Sequence, residues 1–520
     1  MNTNVLAIDS LNKRYFYKLS TSFIGFVMSL VTAAVVPRGL GPRSYGDFNF
    51  LTNFFTQITG FLDMGTSMCF YNRLSQRPRD FSLAAFYRYF MVTVALIMVG
   101  FVIFAHLTSI HIHLWPDQKI FYVYLAAGWS IFIWITNLFN KMTDAYGLTV
   151  PAEKARVFQK VLGVILIVLL YISGQLSLRN YFYYQYVILF LIGAMFIWIM
   201  QFKGYSFSKG WKLSLDKLKS YSKEFYHYSH PLFVTSVAGL LVGVLDRWLL
   251  QVFGGSVQQG FFGFSYQIGT LCFLFVGAMS PLLMREFSIG FGNKDLKQIA
   301  SLFRKYIPLM YAITAFIACF VAVQAAKVIY IIGGEKYSQA VIPVTIMAFA
   351  PIHQTYGQLS SSVLLAAGKT RLHRNIDIIF MLTGLPVAYF LIAPKQLWGV
   401  DAGATGLAIK TILYQLFLVN TYLFFNTKLI NLNFWKYIGH QIVSVACFVL
   451  IAVFSTSCID RVLLRNNEII MLKFLLAGFL YTSLVIALIF YFPILFGINR
   501  QDMQLLLSKI TKSLYNKFKF

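Results

Sequence analysis

The chain has 520 residues, of which 58% are hydrophobic, 18% aromatic and only 12% charged, about half the charged share of a soluble domain. That deficit excludes an ordinary soluble enzyme core. The formal net charge of +26 does not restore a nucleic-acid reading, because the basic residues fall in short clusters between apolar runs and form no single stripe.

Taken in chain order, apolar runs are expected to cross a bilayer over residues 15–38, 46–72, 84–108, 119–143, 156–175 and 181–203, closing a first six-helix bundle within residues 1–203. Each run is long enough to span a hydrocarbon core about 30 Å thick as a helix. The opening stretch, MNTNVLAIDSLNKRYFYK, lacks the short apolar core and small-residue cleavage site of a removable signal peptide, so the first span is expected to persist. Residues 204–227 are a basic linker. The stretch KGYSFSKGWKLSLDKLKSYSK, from Lys203, reads as a cytoplasmic connection, with an amphipathic surface helix as the alternative. A second bundle follows in residues 228–426, with spans at 228–253, 257–287, 300–326, 337–366, 372–393 and 403–426. Residues 427–520 add spans at 436–456 and 471–496 and a basic cytoplasmic tail containing Lys509, Lys512, Lys517 and Lys519. The reading is an all-α polytopic membrane protein of about fourteen spans: two pseudo-repeated six-helix bundles around a central cavity, plus a C-terminal pair.

Orientation follows from the alternate loops, since basic residues near span ends stay on the cytoplasmic side. With both termini inside, roughly three quarters of the 44 Lys and Arg fall in cytoplasmic segments. Arg247 and Lys410 are read as basic residues lying inside spans. An internal repeat at about 215 residues supports two related halves. Gly41-Pro42-Arg43-Ser44-Tyr45-Gly46 opens the second span, and Gly255-Ser256-Val257-Gln258-Gln259-Gly260 opens the eighth. In both, glycine is expected where antiparallel helices need a tight turn free of the Cβ penalty.

Several chemistries are weighed and set aside. Gly368-Lys369-Thr370 resembles the end of a phosphate-binding loop, but Val363 stands where its first glycine belongs and the motif ends a span instead of following a strand. Paired carboxylates on a large loop, which a membrane glycosyltransferase or hydrolase would need, are missing. His111 and His113, near Asp117, read as a solvated turn, and His353 as a packing residue. The five cysteines show neither a CxxC pair nor a disulfide framework. The chain is therefore not expected to be an enzyme, and no cofactor is expected beyond a coupling H⁺ or Na⁺.

Intramembrane charge is costly and marks either a pathway or a structural pair. Arg247 could meet an anionic substrate and Asp246 could orient it or bind a coupling cation, with a purely structural pair as the alternative. Asp63 sits in Gly60-Phe61-Leu62-Asp63-Met64-Gly65, where a helix could unwind and a cation couple. Lys410, at helical spacing from Gly403 and Gly406, is a candidate fixed cation in the cavity or a snorkelling side chain. Arg38 and Arg43 bracket the first hairpin, at a phosphate or among lipid headgroups. A cavity whose few charges are mainly Arg and Lys favours a phosphorylated substrate.

The motifs GLGPRSYGDFNF from Gly39, LDMGTS from Leu62, VLDRWLLQVFGGSVQQGFFGFSYQI from Val244, IIGGEKYSQAVIP from Ile331, SSSVLLAAGKTRL from Ser360 and WGVDAGATGLAIKT from Trp398 carry a resemblance in their order and spacing. The chain resembles the Wzx-type polysaccharide flippases of the multidrug/oligosaccharidyl-lipid/polysaccharide (MOP) exporter superfamily. The resemblance implies translocation of a polyprenyl-diphosphate-linked oligosaccharide from the inner to the outer leaflet of a bacterial plasma membrane, for O-antigen, capsule or exopolysaccharide assembly. Membrane lipids, a polysaccharide polymerase and chain-length proteins would be its partners, with no nucleic acid. Many such flippases have twelve spans, so the extra pair here is expected to build a lipid-tail groove or to pack on the bundle. An ion-coupled drug exporter of the same superfamily and a non-transporting scaffold are the competing classes.

Overall fold

The computed structural model describes residues 11–78, 80–205, 213–271, 274–463 and 470–497. The centre of the basic linker, Cys272 and the tail lysines named above lie outside the described residues. Helices begin where a short polar side chain can accept from the free N–H groups of a first turn. Asp80 accepts from the backbone N–H of Leu83 at 3.1 Å, Ser177 from that of Asn180 at 3.3 Å and Asp295 from that of Gln298 at 2.9 Å.

In chain order the helices are α1 (Leu11–Asp63), α2 (Thr66–Gln76), α3 (Phe81–Leu107), α4 (His111–Leu114), α5 (Ile120–Ala145), α6 (Thr149–Ile172), α7 (Leu178–Phe202), α8 (Leu215–Ser229) and α9 (Phe233–Leu271). They continue with α10 (Leu274–Gly292), α11 (Leu296–Val323), α12 (Ala325–Ile332), α13 (Val341–Met347), α14 (Ala350–Ala366), α15 (Thr370–Ile392), α16 (Gly403–Leu429), α17 (Phe434–Val462) and α18 (Ile470–Tyr491). No strand occurs among the described residues. Eleven of these helices are long and apolar enough to cross a membrane, and the chain is an all-α, multi-pass membrane protein. The number differs from about fourteen partly because α1 and α9 each contain two arms. In addition, the expected span 337–366 is divided into a 3-10 turn at Glu335–Ala340, α13 and α14. Pro351 lies in the first turn of α14, a position that suits a residue with no N–H to give to a preceding turn.

The arms of α1 and α9 turn back on themselves at Gly41 (φ 72°) and Gly255 (φ 71°), a left-handed conformation that disfavours a side chain. In α9, Arg247 Nη1 donates to Gln259 Oε1 at 3.1 Å, whereas residues twelve apart in a straight helix stand roughly 18 Å apart along the axis. Lys18 of α1 pairs with Asp144 at 2.9 Å, and Ser67, at the start of α2 just past the end of α1, accepts from Lys141 at 2.6 Å, both at the C-terminal end of α5. Between them along the chain, Asp47 accepts from Gln118 at 2.8 Å, beside the start of α5. The first arm therefore runs away from the Asp144 end and the second returns to it.

Contacts divide the chain into two compact units, Met1–Gly263 with Ala388–Gly403, and Phe264–Val387 with Ala404–Phe520. The division falls within α9 and not at the basic linker because the two glycine turns pack on each other. A Cβ on Gly46 would fall on the carbonyl oxygen of Ser256, and one on Gly260 would fall on that of Pro42. At the repeat spacing of about 215 residues, Pro42 corresponds to Ser256 and Gly46 to Gly260, so the contact is reciprocal. Residues 388–403 join the first unit through Tyr389, edge-on to Phe253 at 5.9 Å, and Gly403, packed on Gln258. The core of the first unit centres on Phe70, Tyr87, Leu138, Met142 and Phe196, and that of the second on Phe303, Tyr311, Tyr356, Phe448 and Tyr481.

The basic linker is more than a tether, because α8 docks on the first unit. Tyr221 and Phe225 are buried in its core, Arg73 pairs with Glu224 at 2.6 Å, and Lys217 donates to Ser82 at 2.9 Å. The Tyr221 hydroxyl donates to both oxygens of Asp80, at 2.8 and 3.1 Å. Burial, reinforced by that carboxylate, pushes the hydroxyl up to about 12. Phe225→Ala removes a buried ring worth about 3 kcal/mol or more. Limited proteolysis between Lys203 and Lys223 should accelerate in this variant while the helical content of the bundle is retained.

Candidate functional site

The candidate residues fall into three places. Arg38 and Arg43 flank the Gly41 turn, the first half-buried and the second exposed. Asp47, one turn beyond Arg43 and within its electrostatic reach, accepts from Gln118, which also donates to Ser256 at 3.2 Å. Arg247 stands eight residues before Gly255 on the facing hairpin, roughly 12 Å along the helix. Its guanidinium lies 4.4 Å from the centroid of Phe262 and donates to Gln259, whose amide in turn donates to the Arg247 carbonyl. Gln259 is 0% exposed, so Arg247 is held at its backbone and at its tip by one buried residue. A cation over an aromatic face adds about 0.5–2 kcal/mol to that hold. The result is a half-buried, geometrically fixed guanidinium, with Asp246 half-buried beside it on α9.

Asp63 lies elsewhere in the same unit, 22 residues and roughly 33 Å of helix from the Gly41 turn. The helix breaks immediately after it, with Met64 at φ 41° and Gly65 at φ 76°, and its carboxylate becomes the cap of α2. Oδ1 accepts from Thr66 Oγ1 and Ser67 N at 3.0 Å, from Tyr87 at 3.2 Å and from Trp134 Nε1 at 3.3 Å, and Oδ2 accepts from Ser67 Oγ at 2.9 Å. Lys141 reaches the same hub through Ser67. A cation coupled here would have to displace donors that already converge on the carboxylate.

Lys410 belongs to the second unit. It is 6% exposed, its ammonium is 5.8 Å from the ring centroid of Tyr414, and its stem passes α15 at Gly384, where a Cβ would stand 3.1 Å from Lys410 Cε. The missing side chain at Gly384 is what leaves room for it. His353, at the start of α14, has its Nδ1 buried with no hydrogen-bond partner among the described residues.

The fold also buries charge away from these candidate residues. α6 starts at Thr149, seven residues before the expected span, and this brings Glu153, Arg156 and Lys160 onto one helix face. Glu153 is 1% exposed and pairs with Arg156 at 3.0 Å, Arg156 also contacts Asn140, and Lys160 presses on Gly25 of α1. Their i, i+3, i+7 spacing is the signal that marks such a face. Among the described residues no group of three or more His, Cys, Asp or Glu is placed to hold a metal ion.

Against this geometry, similarity to known proteins is informative. A family model described as "Polysaccharide biosynthesis protein" matches residues 11–285, more than half of the chain. No curated protein matches. Among solved structures, the lipid II flippase MurJ in an inward closed conformation is 14% identical, with a TM-score of 0.65 over 92% of this chain and 99% of that one. An inward-facing multidrug resistance MATE family transporter of the MOP superfamily is 14% identical, with a TM-score of 0.60 over 80% of this chain and 98% of that one. A MOP superfamily transporter from Pyrococcus furiosus, described as having a binding pocket of reverse polarity, is 14% identical, with a TM-score of 0.54 over 81% of this chain and 96% of that one. The eleven apolar helices, the paired glycine hairpins and these matches together make the chain a multi-pass membrane protein with the MOP transporter fold, and it belongs to the polysaccharide biosynthesis protein family.

Proposed function

We propose that the chain is a transporter that flips a polyprenyl-diphosphate-linked oligosaccharide from the cytoplasmic to the outer leaflet of a bacterial plasma membrane by alternating access, for O-antigen, capsule or exopolysaccharide assembly. The observation that carries this reading is the family match over residues 11–285, since polysaccharide assembly needs its lipid-linked units on the far side of the membrane. Residue chemistry supports it. Arg247 is a fixed guanidinium and Lys410 a buried ammonium, the charge type that a diphosphate requires. An apolar groove of about 390 Å³ runs between α17 and α18, lined by residues including Leu450, Phe454, Leu484, Leu488 and Phe492. It suits a polyprenyl tail, which gains nothing from polar walls.

In this reading both termini are cytoplasmic, Arg38 and Arg43 sit at the external mouth, and the polymerase and chain-length proteins receive the product. H⁺ or Na⁺ coupling would use Asp63 or Asp246. The test is flipping of a fluorescent polyprenyl-diphosphate oligosaccharide in proteoliposomes, with and without an imposed ion gradient. Wild type should transport, and Arg247→Ala and Lys410→Ala should each lose about tenfold to a hundredfold, the value of one charge-assisted contact of about 1.5–3 kcal/mol. Folded wild-type protein that moves none of several candidate glycans, with or without a gradient, yet exports small cations, would replace the flippase with a drug exporter. Failure at both would leave a scaffold.

A further inference from the structure

A second cleft lies in the unit Phe264–Val387 with Ala404–Phe520, far along the sequence from Arg247 and built from different helices. It is lined by α12, the 3-10 turn at Glu335–Ala340 and the start of α13, together with the C-terminal end of α17 and the first turn of α18. Its volume is about 780 Å³, and its polar walls are Lys327, Tyr330, Glu335, Ser338, Asp460 and Lys473. Lys327 is neutralised, because its ammonium donates to both oxygens of Asp460, at 2.7 and 2.9 Å. Lys473 is not. It is 8% exposed, it lines the cleft, and its ammonium meets no hydrogen-bond acceptor or carboxylate among the described residues. A buried cation is costly wherever water is scarce; Glu335 stands exposed at the edge of the cleft, and Lys473 is placed to meet an anion that enters it.

The rest of the lining says what kind of anion. Ile329, Val341 and Ile470 make one wall apolar, and Tyr330 is 43% exposed beside them, the pattern of a membrane interface where an aromatic ring sits between headgroups and tails. Ser338, exposed on the rim, offers a hydroxyl. The volume lies within the usual range for a small-molecule site. We infer that this cleft binds the phosphate of a lipid headgroup, with Lys473 as its counter-ion and the acyl or prenyl chains leaving along the apolar wall. With the termini cytoplasmic, the lipid belongs to the outer leaflet. The site does not depend on the flipping reaction, so the two readings fail separately.

The same phosphate chemistry is offered by a bulk phospholipid and by a polyprenyl monophosphate carrier, and binding measurements separate them. Native mass spectrometry of the purified full chain in detergent would be run with phosphatidylglycerol, phosphatidylethanolamine, a polyprenyl monophosphate, diacylglycerol or inorganic phosphate. Phosphate-bearing lipid should bind about tenfold or more tightly than diacylglycerol. That preference should vanish in Lys473→Met and survive in Lys473→Arg. Retention of either phospholipid identifies bulk lipid as the source, and retention of the polyprenyl monophosphate alone identifies the carrier. Equal binding of diacylglycerol, an unchanged preference in Lys473→Met, or full displacement of lipid by inorganic phosphate would each overturn the inference. Should Lys473→Met not fold, Ser338→Trp fills the mouth from an exposed position, and an unchanged lipid preference in that variant would overturn it equally.

Discussion

Gly46→Ala and Gly260→Ala should each destabilise the protein by about 3 kcal/mol, the upper end of what overpacking a tight site costs. The new methyl meets backbone, which cannot rotate away as a side chain would. At Gly46 it falls on the Ser256 carbonyl and within 2.7–2.8 Å of Gly260 N and Ser256 C, and at Gly260 on the Pro42 carbonyl. Both changes push the same two turns apart. The double variant should therefore lose clearly less than the sum of the singles. Gly100→Ala, on α3, is the control: its Cβ would meet nothing within 4 Å, and alanine is favoured over glycine inside a helix by about 1 kcal/mol. Fluorescence-detected thermal unfolding in detergent reads all four. A Gly46→Ala protein as stable as Gly100→Ala would show that the hairpins do not pack as described.

Asp63→Ala should cost about 3–5 kcal/mol, the penalty for leaving buried donors without their charged acceptor. Thr66, Ser67, Tyr87 and Trp134 all donate to this carboxylate, and α2 would lose its cap at Ser67 N as well. Asp63→Asn keeps the shape but turns one acceptor into a donor among donors, so it should fall between wild type and alanine. Thermal unfolding measures the order. Transport separates structure from coupling: an Asp63→Asn protein that is folded and flips normally under every gradient would assign Asp63 to structure and leave coupling to Asp246 or another acid.

Much of the architecture was legible in the sequence because the bilayer imposes it. A chain in hydrocarbon must satisfy its backbone internally, so apolar runs of sufficient length are helices, and their order gave the all-α, multi-pass fold. The two hairpins were legible for a related reason. A turn between antiparallel helices needs a left-handed residue, and Gly41 and Gly255 sit at matching positions in the repeat. The helix break after Asp63 was foreshadowed by Gly60 and Gly65.

What the sequence could not fix was the partner of each element, since partners are set by contacts between residues far apart in the chain. Gly46 and Gly260 appear in the sequence as turn residues, and only the fold shows that each leaves room for the backbone of the other hairpin. The linker helix α8 carries enough lysine to read as a solvated connection, yet Tyr221 and Phe225 bury one face of it against Asp80 and Phe86. Arg247 is fixed by Gln259, a residue with no charge to draw attention. Lys410 has its place because Gly384, on another helix, has no side chain. Lys473 stood at the edge of an apolar run as one basic residue among 44. Composition and periodicity record what a residue prefers, and those preferences determined the helices, their turns and the membrane. Whether a cation meets a carboxylate, a ring or an empty cleft is decided by which helices pack together, and that only the tertiary structure supplied.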